Sequence, residues 1–285
     1  MKQGYGQFCP VAVACEIFAE RWTPIILRSL FMGADRFNEL LRGAPLISRS
    51  LLAKRLRDLE KAGVVRRARV PIGVGHCYRL TRAGEEFRTV IEGLGNWGQR
   101  WTVRVKRDNL DAGLLMWALR RRIALDRLPA GRVVVQFDFR GIPPTKRGYR
   151  RFWLLLERTH VDLCVEDPGF EVNLYVDADL PAMTKIYLGD VSFASASRVG
   201  DVRLSGPREL ARAFPSWLLL SHFAKVPRPQ RAVQPLNVPQ ESSPGGSKAD
   251  ARHIPLTSYR RLVGNHAAAD QVRATSAMPS CDWAI

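Results

Sequence analysis

The chain of 285 residues is long enough for two ordinary domains, and its 46% apolar content can fill their cores, which excludes a wholly disordered protein. Against 27 Asp and Glu stand 44 Lys and Arg, a net charge of +17 and a pI near 10.4, which favours a polyanion such as nucleic acid or an anionic membrane surface. No apolar run approaches the ~20 residues that span a bilayer, and the opening MKQGYGQFCP lacks the apolar core of a signal peptide, so a cytoplasmic protein is expected.

The charge is not evenly spread: residues 1–107 carry +11, 108–225 carry +3 and 226–285 carry +3. Within the first part, residues 48–82 hold ten basic and two acidic side chains. Arginine outnumbers lysine 36 to 8; a GC-rich coding sequence accounts for that ratio as readily as selection for phosphate contacts, but it does not account for the clustering.

In chain order, Val13, Ile17 and Phe18 fall at helical spacing. Thr23-Pro24 then restarts a helix as N-cap and first-turn proline, carrying Ile26, Leu27 and Leu30 on one face. Arg36 to Leu41 makes a third short helix closed by Gly43-Ala44-Pro45, and Ser48 caps a fourth that runs to Ala62 and stops at Gly63. On this fourth helix Leu52, Leu56 and Leu59 share one face, and Ser50, Lys54, Arg57 and Lys61 share the opposite one. The alternating segment 64–70, a turn at 71–75 and the returning strand 77–80 form a β-hairpin. A helix from Ala83 to about Lys106 follows.

Helix, turn, helix and basic hairpin place one helix in the DNA major groove and a wing along phosphates or the minor groove. The segments Cys9-Pro10-Val11, Trp22-Thr23, Ile26-Leu27, Arg36 to Leu40, Ile47-Ser48, Leu56, Leu59-Glu60, Gly63-Val64-Val65, Tyr78 to Thr81 and Gly84 resemble the signature of HxlR-type winged helix-turn-helix transcriptional regulators over residues 8–101. The resemblance implies a homodimer, built through the first helix and the helix after Ala83, on an inverted-repeat operator in double-stranded DNA. It assigns DNA contacts to Ser48, Arg49, Ser50, Lys54, Arg55 and Arg57 on the fourth helix and to Arg66, Arg67, Arg69 and Arg79 on the wing. Any single one of these charges is as easily an ordinary solvated side chain; the set favours DNA.

The five cysteines, Cys9, Cys15, Cys77, Cys164 and Cys281, contain no C-x-x-C, which argues against a disulfide framework or zinc site and for mostly reduced thiols. In some HxlR-type proteins the cysteine before Pro-Val, here Cys9, senses oxidants or electrophiles, and a thiol ahead of a helix N-terminus has a lowered pKa. The alternative is that Cys9 packs at the dimer interface, while Cys15, Cys77 and Cys164 lie within apolar patterns as structural residues.

The segment 108–129 is expected to be a helical linker, with helical spacing from Leu110 to Arg127. Strands follow at 133–139, 151–157, 160–166 and 171–177, the last three as a meander with a turn at Asp167-Pro168-Gly169, and helical patterns occupy 180–188 and 207–214. The expected fold class is α+β throughout: a winged helix followed by an antiparallel sheet covered by helices. The meander, Asp177 to Leu180, Gly189-Asp190 and Gly200 to Pro207 resemble a sterol carrier protein type 2 domain over 130–222, which implies an apolar tunnel for a fatty-acyl or sterol-like ligand. Phe139, Trp153, Leu155, Met183, Tyr187, Phe193 and Trp217 are the large side chains placed near it, and plain core is the alternative for each. The stretch Lys146 to Arg151 is a solvated loop or a contact to DNA or headgroups, and 226–285, with seven prolines, is expected to be a disordered tail.

The domains are thus 1–107 for DNA binding and dimerisation, 108–129 as linker, 130–225 for ligand, and 226–285 as tail. The function expected is a regulator responsive to a small apolar or lipid-like effector. Its alternatives are a thiol-based sensor switched at Cys9 and a lipid-binding carrier module. No enzyme is expected, since His76, His160 and His222 show no nucleophile–base arrangement and no H-E-x-x-H or phosphate loop occurs; no cofactor or metal is called for.

Overall fold

In a computed structural model of the chain, residues 4–70, 75–102, 107–143 and 149–227 are described. The hairpin tip at 71–74, most of the basic loop at 144–148 and the tail from 228 lie outside them. The chain divides into two compact units, and the first takes residues up to Thr102 together with Gly113–Ala118 and the segment starting at His222.

The first unit runs α1 (Pro10–Phe18), α2 (Thr23–Phe31), α3 (Phe37–Arg42), α4 (Arg49–Lys61), β1 (Val65–Arg69), β2 (His76–Leu80) and α5 (Arg82–Trp101). Its core is aliphatic: Ile26 and Leu27 of α2, Leu40 of α3, Leu52, Leu56 and Leu59 of α4, and Ile91 of α5 are buried together. Each of these helices offers only a narrow apolar stripe, so none is stable until the others cover it. Two expected boundaries shift. Thr23 is not the cap of α2 but its first residue, buried at 2% exposure, and Trp22 takes the cap position in the left-handed conformation, φ 77°. Helix α5 ends at Trp101, where Thr102 turns to extended backbone; the expected continuation to Lys106 falls on residues 103–106, which lie outside the described residues.

The expected long linker helix is also shorter. Only α6 (Ala112–Arg120) is α-helical there, followed by a 3-10 turn at Leu125–Arg127.

The second unit contains β3 (Val133–Arg140), β4 (Arg151–Leu156), β5 (Val161–Cys164), β6 (Leu174–Asp179), α7 (Leu180–Leu188), α8 (Phe193–Arg198), β7 (Val202–Ser205) and α9 (Arg208–Trp217). The expectation of a purely antiparallel meander is corrected here. The sheet order is β5-β4-β3-β6-β7, and β6 leaves β5 to pair in parallel with β3, Phe137 opposite Val176, while its other neighbour, β7, is antiparallel. The α+β class stands, with a mixed sheet. Asp179 caps α7 by accepting from the Ala182 amide at 3.0 Å, and Gly189 closes it at φ 79°.

On one face of β3, Phe137 and Phe139 stack with ring centroids 5.9 Å apart; Phe137 meets Phe214, which meets Phe193 and Trp217 at 6.0 and 5.8 Å. The opposite face carries a separate small cluster of Val134, Trp153, Leu155 and Cys164, with Phe170 and Val172 packed against it.

Candidate nucleic-acid interface

Helix α4 begins where the Ser48 hydroxyl accepts from the Leu51 amide at 3.2 Å. From that start the helical period decides what each side chain meets. Leu52, Leu56 and Leu59 are at most 2% exposed, while Ser50, Lys54, Arg57 and Lys61 face solvent.

Arg55 is a correction to the expected DNA-contacting set. It flanks the leucine stripe, is 8% exposed, and its guanidinium lies 2.5 Å from a Glu20 carboxylate oxygen and 3.6 Å from Asp58, with Nε donating to the Arg21 carbonyl at 3.1 Å. A buried guanidinium needs such partners to offset its desolvation. It ties α4 to the segment that follows α1 and offers nothing to DNA.

Arg49 is exposed yet held: it donates to the Asn38 side-chain oxygen at 3.2 Å and lies 5.4 Å over the Phe37 ring. Thus α3 braces the first turn of α4. Sequence reasoning placed Phe37 and Asn38 in the family signature but gave them no part in the site; standing twelve and eleven residues before Arg49, they carry no local signal of that contact.

The hairpin pairs Arg66 with Arg79, Arg67 with Tyr78 and Arg69 with His76. All four arginines are exposed. Arg67 lies 3.0 Å from His76 Nδ1. Like charges directly opposite on neighbouring strands destabilise a hairpin, and Arg66 faces Arg79 in that relation with no carboxylate paired to either among the described residues.

The root of the wing is fixed tightly. The Tyr78 amide donates to the Asp35 carbonyl at 2.8 Å, and Arg36 bridges to Cys77, joining β2 to the segment ahead of α3. Glu39 accepts from the Asp35 and Arg36 amides at 3.1 and 3.3 Å, holding that segment. On the other side Thr81 donates to the Gly63 carbonyl at 2.6 Å and accepts from the Gly84 amide at 3.2 Å. A Cβ on Gly84 would stand 2.1 Å from the Val64 carbonyl oxygen, so only glycine lets α5 start this close to the strand. The cationic face of α4 and the arginines of the wing therefore sit on one rigid frame.

Cys9 occupies the cap position of α1 and is fully exposed; hydrogen bonds from the Ala12 and then the Val11 amides lower its thiol pKa. Cys15 and Cys77 are also free, and Cys164 is disulfide-bonded, the exception among the described residues to mostly reduced thiols.

The seven large side chains placed near a tunnel do not converge. Phe139, Met183 and Trp217 are buried, at no more than 1% exposure, with Phe139 and Trp217 on the ring network that also takes in Phe193; Tyr187 and Phe193 are half-buried. Trp153 and Leu155 belong to the cluster on the opposite face of the sheet. On β4 both faces are covered, so alternation could not assign its residues to one of them.

A family model described as HxlR-like helix-turn-helix matches residues 17–106. The chain is 36% identical over 107 residues to the uncharacterized HTH-type transcriptional regulator YdeP of Bacillus subtilis, an alignment covering 36% of this chain and 80% of that protein. It is 32% identical over 95 residues to the HTH-type transcriptional regulator YodB of the same organism, covering 33% of this chain and 85% of YodB. A solved structure of the reduced form of the transcriptional regulator YodB aligns with a TM-score of 0.30 at 32% identity, over 33% of this chain and 93% of that one.

Proposed function

The chain belongs to the HxlR-like helix-turn-helix family of transcriptional regulators, and from that premise we propose that it binds an inverted-repeat operator as a homodimer. Helix α4 enters the major groove with Arg49, Ser50, Lys54 and Arg57, and the wing sets Arg66, Arg67, Arg69 and Arg79 against phosphates or the minor groove. The observation that carries this reading is the row of exposed, carboxylate-free cations on α4 and the wing, mounted on one frame.

A second copy supplies the dimer. No residue of α1 is buried, and Phe8 and Val11 before and on it are open to solvent. On α5, Val90, Leu94 and Trp97 follow at i, i+4 and i+7, each about half exposed. Two such stripes covering each other would remove the apolar surface that a single copy leaves wet.

The test is selection of genomic DNA fragments by the purified protein over a salt series, repeated with a lipid extract. An inverted repeat with half-sites ~34–36 Å apart, bound less tightly as salt rises, is expected. Uniform, sequence-blind binding would remove the regulator reading.

Two inputs are proposed for the switch. One is a small apolar effector in the second unit, supported by the ring network between its sheet and helices and by the resemblance to sterol carrier domains; release of the operator by the lipid extract is its readout. The other is oxidation at Cys9, supported by an exposed thiol with a lowered pKa. Cys9→Ser abolishes the response to an oxidant and leaves the response to lipid.

A further inference from the structure

The sheet of the second unit has two faces of different kinds. One carries the ring network of Phe137, Phe139 and Phe214; the other carries Val134, Trp153, Leu155 and Cys164, with Phe170 and Val172 packed against them. Cys164 stands opposite Trp153 in the register and ends β5, an edge strand of the sheet. A segment from outside the sheet can therefore reach it without displacing a neighbouring strand.

Two observations mark this face. The first is that Cys164, at 5% exposure, is disulfide-bonded. Of the chain's five cysteines Cys9, Cys15 and Cys77 are free, which leaves Cys281, outside the described residues, as its partner within the chain. The second is the Trp153 indole: it is 6% exposed, yet its N–H has no hydrogen-bond partner among the described residues. A buried donor left unmet is uncommon, and backbone laid over the ring brings carbonyls that can accept from it.

The sequence around Cys281 matches an apolar seat. In extended backbone Cys281, Trp283 and Ile285 share one face, with Asp282 and Ala284 on the other. The stretch from residue 227 to residue 281 can extend by up to ~3.3 Å per residue, long enough to bring Cys281 to the sheet.

We propose that the segment 281–285 docks on this face, latched by a reversible Cys164–Cys281 disulfide, with Trp283 and Ile285 against Trp153 and Leu155. The bond closes by thiol–disulfide exchange with a small disulfide such as oxidised glutathione. The two thiols lose two protons and two electrons, the Sγ–Sγ bond forms, and the small disulfide leaves as two thiols; reduced glutathione reverses the step. The latch is separate from Cys9, which belongs to the other unit, and from an apolar effector in the ring network, which lies on the opposite face.

The experiment equilibrates the full chain in glutathione buffers of varied ratio, blocks remaining thiols with iodoacetamide in denaturant, and reads tryptic peptides by mass without reduction. Peptides 159–185 and 274–285 hold the two cysteines. They are expected joined in oxidising buffer and apart in reducing buffer, while a non-reducing denaturing gel shows a single chain throughout. Trp283→Ala keeps both thiols and removes the docking ring, so half-oxidation should need a glutathione ratio about tenfold or more towards the oxidised form. Peptides apart at every ratio, Cys164 joined to another cysteine or to a second copy, or a midpoint unmoved by Trp283→Ala each overturns the proposal.

Discussion

The arginines on the sheet of the second unit and the exposed cations of α4 and the wing in the first are treated in opposite ways. In the second, Arg132 pairs with Glu157 at 2.7 Å, Arg140 with Asp177 at 2.5 Å, and Arg150 and Arg151 share Asp138 at 2.9 and 3.1 Å. In the first, Lys54, Arg57, Arg66, Arg69 and Arg79 have no carboxylate partner among the described residues, and two of them face each other across the hairpin. Exposed ion pairs contribute only about 0–1 kcal/mol each, so the difference bears less on stability than on field. Pairing cancels the field of the second unit within its own surface; the first projects its field outward, and a polyphosphate is the partner that offsets the repulsion.

That contrast breaks first if the units are not separable in function. Phe214 is fully buried and touches Phe137, Phe193 and Trp217. Phe214→Ala should cost the second unit about 3–5 kcal/mol, read as an early transition in thermal unfolding, with operator affinity in the absence of effector unchanged. A parallel loss of DNA binding would show that the interior of the second unit supports the surface of the first.

Two residues of α4 sharpen it next. Arg55→Ala removes a buried partner of Glu20 and should cost about 2–3 kcal/mol of stability, below the ~3–5 kcal/mol of a fully buried pair because the Glu20 side chain is 30% exposed. Arg57→Ala, two residues on, should leave the unfolding midpoint nearly unchanged and reduce operator affinity by about 1–3 kcal/mol while relaxing sequence preference. If instead Arg55→Ala weakens DNA binding with stability intact, the assignment of the two faces is reversed. On the wing, Arg67→Ala should weaken all sequences alike and lower the slope of log affinity against log salt by about 1.

What the sequence made legible follows the range of the interactions involved. The Ser48 cap, the leucine face of α4, the stop at Gly63 and the strands of the hairpin depend on neighbours within a few residues, and these all stand in the structure. Arg55 was misplaced because its partner Glu20 lies thirty-five residues earlier, in the bend that follows α1. Strand β6 was recognisable from its alternation, but alternation assigns faces and not neighbours, so its parallel pairing with β3 was hidden. The same limit placed Trp153 and Leu155 in one tunnel with Phe139, from which the sheet separates them. The helix α8 and the strand β7 were not recognised, although α3 and β5, equally short, were.

The smallest expected effect concerns whether the first unit receives a signal unaided. Hydrogen bonds from the Ala12 and Val11 amides stabilise the Cys9 thiolate and lower its pKa. The rate of iodoacetamide alkylation at Cys9, followed by peptide mass against pH, should therefore reach half its maximum at lower pH than a free cysteine peptide. Buried Cys77, 1% exposed, serves as the unreactive reference in the same sample. The rate gained at neutral pH will be less than the gain in thiolate, because nucleophilicity falls with pKa, with a Brønsted slope of about 0.4–0.5. A midpoint at or above that of the free peptide would mean the two amides do not hold the thiolate in solution, and Cys9 would then be left to its packing role alone.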